Sequence, residues 1–411
     1  MRLKSAAELV HSSFFRWGWL VPAFLPLASV AGRGAFNILS GVYFLWALAS
    51  VSLAPGKASA IWQRRWFLAA YGVMLLVWSL SLTQSPDPRN GGYHLLRYLQ
   101  YSLTGLFTLV ALQQTSSQLP RLMRAMAWGS LLLILVLYLQ LPYFLLAAEF
   151  IPTQQLHEDN LPWLLPFLLL AIFSRARGRW LLLGTIGAFA VYIGLSQGRA
   201  ALLAMLAALA VFSALGLHLG KRHWLAAGVA VAVTGIIFGQ RFFRGVSAIG
   251  FDFATVDRFT NGRATIWWQA LSSPPENPWL GVGMGNLVSR VEILRIDDLA
   301  GIGEVTVRHL HNFILDAWYE TGILGLSAFL AMLGVVLARV LRTWPGLDQE
   351  HRRIAAAALA GVVALLTAGL LSFSYTSKQF ALYLYLLLAI LLALPGKAEA
   401  AGGLRRNRQE G

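Results

Sequence analysis

Residues 309–338 read HLHNFILDAWYETGILGLSAFLAMLGVVLA, and the reading of this stretch decides the fold. From Phe313 onward the chain is apolar for longer than the roughly 20 residues that a helix needs to cross ~30 Å of hydrocarbon. The residues just before are polar: His309, His311 and Asn312. Asn312 is a good N-cap, and from it Asn312, Asp316 and Glu320 fall at i, i+4 and i+8 on one helix face. Two carboxylates in the first turns of a membrane helix are costly without a partner or water. The sequence offers His94, Arg97, Lys378 or loop arginines as partners.

Working outward, the same kind of block recurs. Twelve spans are expected, at 17–31, 34–54, 66–84, 98–114, 125–148, 161–174, 180–195, 199–218, 223–239, 313–338, 354–374 and 379–395. Hydrophobic residues make up 57% of the 411 positions and charged ones 12%, against about 25% charged in soluble domains. Blocks of this length exclude the alternating ten-residue segments of a membrane β-barrel. The expected fold is an all-α integral membrane protein with about 12 transmembrane helices. With no cysteine in the chain, disulfides, thiolate catalysis and cysteine-bound metals are excluded. Met1 to Arg16 is polar and basic rather than a cleavable signal peptide.

Charge sets the orientation. An even span count puts both termini on one side, and the loops of that side hold 21 of the 33 Lys and Arg. The positive-inside rule makes that side cytoplasmic, which also accounts for the net charge of +15 without nucleic acid as a partner. The expected organisation is spans one to nine over 1–239, one large outer loop over 240–312 with short amphipathic helices, three spans over 313–395, and a basic cytoplasmic tail over 396–411. A loop that long is uncommon unless functional.

Chemistry concentrates there. The loop carries Arg241, Arg244, Arg258, Arg263, Arg290, Arg295 and Arg308 and no Lys, and guanidinium forks suit phosphate. Residues 264–271 read as a short amphipathic helix with Thr260 or Asn261 as N-cap. Arg263 then falls in the first turn, where the dipole prefers an acid. An anion bound at free helix N–H groups would explain it; so would an Arg paired with Asp257 or simply solvated. Arg199, in the Ser196-Gln197-Gly198-Arg199 turn before the eighth span, can snorkel to membrane lipid headgroups or contact a lipid-borne phosphate. Pro278 to Asn286, PWLGVGMGN, is a Gly-rich turn that permits close backbone approach; it lacks the Lys-Ser/Thr of a P-loop. His309 and His311 make a general base plausible, since imidazole titrates near neutrality. With Asp297 and Asp298 they are also candidate metal ligands, although i, i+2 histidines are not a strong signature.

Together, Arg263-x-x-x-Trp267, the 278–286 turn, and His311-Asn312-x-x-Leu315 followed by Tyr319-Glu320-Thr321-Gly322-Ile323-Leu324-Gly325-Leu326 resemble the C-terminal signature of the O-antigen ligase/polymerase superfamily. Gly198-Arg199 is similar to its upstream arginine, so the resemblance covers roughly 195–330.

The resemblance implies a GT-C type glycosyltransferase of the bacterial inner membrane, with its active site facing the periplasm and both termini cytoplasmic. Its donor would be undecaprenyl-pyrophosphate-linked O-antigen. The ligase branch fits best, because the chain ends in a basic tail and lacks the longer C-terminal periplasmic region of protein O-oligosaccharyltransferases. The acceptor is then a sugar hydroxyl of lipid A–core; O-antigen polymerase and protein O-oligosaccharyltransferase are the alternatives. It implies catalytic roles for Arg199 and Arg263 on the pyrophosphate and for His311 as general base. Arg258, His309, Asn312 and Glu320 are expected to support substrate binding. No metal and no cofactor is expected, because the arginines supply the positive charge, and direct attack would invert the anomeric carbon. From a different class, a lipid-linked oligosaccharide flippase predicts charges near mid-membrane and short loops, unlike this clustering at the outer face.

Overall fold

The structure is a computed structural model. It describes residues 13–15, 17–53, 59, 61–114, 118–146, 161–173, 178–196, 198–217, 253–260, 262–287, 295–296, 305–306 and 309–395. The expected ninth span (223–239), the tail (396–411), Asn261, Arg241, Arg244, Arg290, Arg308, Asp297 and Asp298 lie outside the described residues.

The described chain is helical apart from one short antiparallel pair, β1 (Arg295–Ile296) with β2 (Val305–Thr306). In order come α1 (Leu20–Ala31), α2 (Arg33–Leu53), α3 (Arg65–Ser81), α4 (Pro88–Leu112), α5 (Gln118–Leu146), α6 (Leu165–Phe173), α7 (Arg179–Ser196) and α8 (Arg199–Phe212). The loop region contributes α9 (Phe253–Phe259) and α10 (Arg263–Ser272), followed by α11 (Phe313–Thr343), α12 (Gln349–Gly369) and α13 (Lys378–Ala393). Among the described residues eight helices are long and apolar enough to cross a membrane, and Arg179–Gly194 and Lys378–Ala393 are shorter apolar helices. The expected sixth span is represented by α6, whose nine residues reach ~14 Å at 1.5 Å per residue. Residues 161–168 are buried throughout, so this part packs against protein on all sides.

The central element is α13. Every residue from Phe380 to Leu392 is buried, as expected of a helix apolar all round. It packs against α4, α12 and α11. Its C-terminal carbonyls, orphaned by the helix end, accept from Arg64 Nε (Leu392 O, 2.9 Å), Gln113 Nε2 (Ala393 O, 2.9 Å) and an Arg339 guanidinium nitrogen (Leu394 O, 3.1 Å). Two cations at a helix C-terminus also complement its dipole. We call this the basic end of the bundle. At the opposite end Ser377 caps the start of α13, and the described residues 262–287 and 309–312 dock there.

Two pairings orient the site. α1 and α5 run side by side, with Ala23 O so close to Gly129 that a Cβ there would lie 2.1 Å from it. α8 packs extensively on α12, and Gly216 just beyond α8 lies against Ala356 in the second turn of α12. Going from Gly216 back to Arg199 and from Ala356 forward to Ser372 travels on the order of 25 Å each way. Arg199 therefore starts α8 at the same end of the bundle as Ser372, the end that carries the loop region.

Candidate active site at the loop end

The helix at 313–343 is not continuous. Gly322 has φ 68° and ψ −177°, a conformation open essentially to glycine. A break here would leave the Tyr319 and Glu320 carbonyls and the Ile323 and Leu324 amides without their i, i+4 partners, and buried backbone groups must be paired. The Gly-rich turn supplies all four. Val282 N donates to Tyr319 O (3.0 Å) and Gly283 N to Glu320 O (2.9 Å). In return Ile323 N donates to Pro278 O (2.9 Å) and Leu324 N to Trp279 O (3.3 Å). A Cβ on Gly322 would lie 2.1 Å from Trp279 O, and one on Gly281 would lie 2.5 Å from the Glu320 carbonyl carbon. The two sequence motifs are thus one interlocked structure, and the close approach expected of 278–286 is backbone to backbone.

The far side of the turn is clamped to the α3–α4 corner. Asn286 Nδ2 donates to Ser85 Oγ (2.6 Å) and Asn90 Nδ2 to Gly285 O (2.7 Å), while Gly285 lies over the His94 ring. Arg97 in turn sits 3.2 Å from His94 Nδ1. The sequence had offered His94 and Arg97 as partners for the carboxylates of α11; the partners observed for those acids are different. Glu320, 6% exposed, accepts from the Tyr375 hydroxyl at 2.7 Å and from the Gly285 and Leu287 backbone amides. Burying a carboxylate requires such donors. Glu320 therefore ties α11 to the Gly-rich turn and to the 370–377 segment. Glu320→Gln replaces an acceptor by an amide that faces three donors with one oxygen. It is expected to cost about 1–3 kcal/mol and to lower the melting temperature of the purified protein. An unchanged melting temperature would contradict the tie.

Asp316, 1% exposed, accepts from Leu310 N at 2.7 Å. Leu310 O accepts from Trp267 Nε1 (2.9 Å), and Asn312 Oδ1 caps α11 by accepting from Ile314 N (3.0 Å) and Leu315 N (3.2 Å). The N-cap expected at Asn312 is present; this is the contact the structure gives its side-chain oxygen. A small apolar cluster of Ile266, Ala270, Val282, Leu287, Leu310 and Tyr319 packs α10 under the turn, and the Tyr319 hydroxyl donates to Ser273 O (3.0 Å). The 309–312 turn is thus held by α10, by α11 and by the apolar cluster.

On that turn His311 has φ 54°, the one positive φ outside glycine among the described residues. Left-handed backbone at a non-glycine residue is uncommon and clusters at functional sites. The His309 and His311 ring centroids are 4.1 Å apart at 49°. His311 Nδ1 is buried and has no hydrogen-bond partner among the described residues, while the Ser372 backbone accepts from the ring. Burial first, then the neighbouring His309 and Arg263, pull the His311 pKa down to about 3. Burial and Arg263 also lower that of His309. Both rings are therefore neutral at pH 7, and His311 holds an open nitrogen.

Arg263 is the first residue of α10 and lies within electrostatic reach of both histidines. The helix cap differs from the expectation. Gly262, with φ 80°, is the N-cap, while Thr260 Oγ1 accepts from Ala264 N (3.0 Å) and Asp257 Oδ1 from Thr265 N (2.7 Å). Thr260 does help to cap, but Asp257 is the anion at this terminus. These first-turn amides are filled, which removes the free N–H groups on which an anion site was argued. Arg258 lies in α9, which packs on α10. The structure thus brings Arg263, His309, His311 and Asn312 together and sets Arg199 at the same end of the bundle. Among the described residues no three His, Asp or Glu are grouped as a metal site.

Residues 163–330 match the O-antigen ligase family model. No curated protein sequence matches the chain. The family segment runs from the start of α6 through the His turn into α11, so Arg199, Arg263 and His311 all fall within it. The match supports a ligase- or polymerase-type function in the O-antigen pathway. Ser372 and Tyr375, which close the site from the α12–α13 side, lie beyond the O-antigen ligase segment, and the sequence reading missed both. The signal was there: SFSYTSK at 372–378 is a polar run between two apolar helices.

Proposed function

We propose that the chain is an O-antigen ligase that moves O-antigen from undecaprenyl pyrophosphate to a sugar hydroxyl of lipid A–core, at the periplasmic face of the bacterial inner membrane. The observation that carries the reading is the buried, unpartnered His311 nitrogen beside Arg263 on a turn fixed at the mouth of a membrane helix. The acceptor oxygen attacks the anomeric carbon and its proton goes to His311. The bond from that carbon to the pyrophosphate oxygen breaks, and the electron pair leaves with undecaprenyl pyrophosphate. Guanidinium charge at Arg263 and Arg199 stabilises the departing anion without a proton donor, and the configuration inverts.

The electrostatics give the reaction an order. A ring with a pKa near 3 is a weak base, and two of the groups that depress it are Arg263 and His309. A pyrophosphate anion docked on Arg263 offsets that repulsion and raises the basicity of His311, so donor binding arms the base. The acid limb of kcat, which reports the enzyme–substrate complex, is expected at higher pH than the acid limb of kcat/KM, which reports the free enzyme. Coincident limbs would contradict this coupling.

The sign for stability follows from the same shift. A folded-state pKa below the ordinary ~6.5 means that the unfolded chain takes up the proton first. The contribution of His311 is full above about pH 6.5 and is lost as pH falls toward 3.

The assay uses purified protein with undecaprenyl-pyrophosphate-linked O-antigen and lipid A–core, with and without EDTA. Glycan on lipid A–core in both conditions supports a ligase that needs no metal. Glycan lengthening on the carrier would make the protein a polymerase, and loss of activity with EDTA would overturn the arginine-only account of leaving-group stabilisation.

A further inference from the structure

A second constellation lies at the basic end, away from the His turn. α4 begins at the loop end, where Asn90 holds Gly285, and ends at the basic end, where Gln113 reaches Ala393 O. α5 starts six residues after α4 ends, at Gln118, and so opens at the basic end. Against its first turns lies a cavity of about 410 Å³ lined by Trp17, Trp19, Leu20, Arg121, Arg124 and Ala125. The walls are built. Trp19 is buried, stacks edge-on against Trp46 at 4.9 Å, and donates its Nε1 to Gln118 Oε1 at 2.7 Å. Arg124 Nε donates to Pro120 O at 3.4 Å. Arg121 and Arg124 are i, i+3 and so share a face of α5.

Among the described residues the lining has two guanidinium groups, no carboxylate, and an apolar remainder made of the two indoles, Leu20 and the Ala125 methyl group. Paired guanidiniums match phosphate oxygens with charge-assisted hydrogen bonds. Indoles beside them suit the carbon part of an amphiphile at a membrane interface. We propose that this pocket binds a net-negative phosphate group, held by Arg121 and Arg124 and flanked by Trp17 and Trp19. The same chemistry is offered by an anionic phospholipid headgroup or by a soluble phosphate, and neither belongs to the transfer reaction at the other end.

The test places the full-length protein in phosphatidylcholine nanodiscs and measures binding of added phosphatidylglycerol, and separately of inorganic phosphate. The wild type is compared with Arg121→Gln/Arg124→Gln and with a control pair, Arg65→Gln/Arg342→Gln, exposed arginines outside the pocket. Loss of two charge-assisted contacts is expected to weaken binding by about tenfold or more in the pocket variant and much less in the control. Trp17→Ala keeps both guanidiniums; it should weaken phosphatidylglycerol binding and leave inorganic phosphate unaffected. Pocket-dependent binding of either probe supports the site and identifies its source. Failure of the wild type to bind either probe, or equal loss in pocket and control variants, would overturn it.

Discussion

Replacing His311 by alanine is expected to lower glycan transfer by about 10²–10⁴-fold, the range that general acid–base catalysis supplies. Folding complicates this variant, because φ at position 311 is 54° and a left-handed alanine costs roughly 1–2 kcal/mol. His311→Asn separates the two effects, since asparagine tolerates the left-handed region but cannot take up the proton. Transfer should fall to the same extent in both variants, while the melting temperature of His311→Asn stays near that of the wild type. A large melting shift with proportionate activity in the folded fraction would instead make His311 a structural residue. The effect is expected on kcat more than on KM, because the proton is transferred only at the transition state.

Gly322→Ala is the second large effect. The substitution places a methyl group 2.1 Å from Trp279 O at a backbone conformation that only glycine adopts readily. Backbone strain of this kind costs about 1–3 kcal/mol, and the contact cannot relax without separating the 278–283 turn from α11. Separation breaks four backbone hydrogen bonds at once, in a region where unsatisfied groups are costly. It also withdraws the Gly285 and Leu287 amides from Glu320. The variant is expected to lose most folded protein on solubilisation, and to show new protease cleavage between Trp279 and Gly285. Normal yield and activity would contradict the interlock.

These outcomes also show what the sequence made legible. Helices are local objects, and the apolar periodicity reveals most of them, as at 313–338 within the observed 313–343 and at 264–271 within 263–272. The N-cap at Asn312 was legible for the same reason, since its acceptor and donors are two and three residues apart. The break at Gly322 was not, because TGILGL reads as apolar helix. Its cause lies in hydrogen bonds to residues about forty positions upstream. The carboxylate partners were misassigned for a related reason. Composition favours a charged partner for a membrane carboxylate, whereas Asp316 takes the Leu310 amide and Glu320 takes the Gly285 and Leu287 amides and the Tyr375 hydroxyl. At the start of α10 the cap is shared between Thr260 and Asp257, the latter eight residues from the amide it accepts, beyond the reach of a capping-box pattern. The pairing of His309 with His311 and Arg263 was legible only as a list of residue types until the turn brought them together.

The division of labour within that cluster is the central claim: Arg263 receives the pyrophosphate and His311 takes the acceptor proton. Its most direct test is one experiment on His311→Asn, with donor affinity by equilibrium binding and transfer to lipid A–core by single turnover, both at pH 7. The account predicts donor affinity within about threefold of wild type and transfer reduced by at least ~10²-fold. Transfer at near wild-type rate by folded, donor-bound His311→Asn would contradict it.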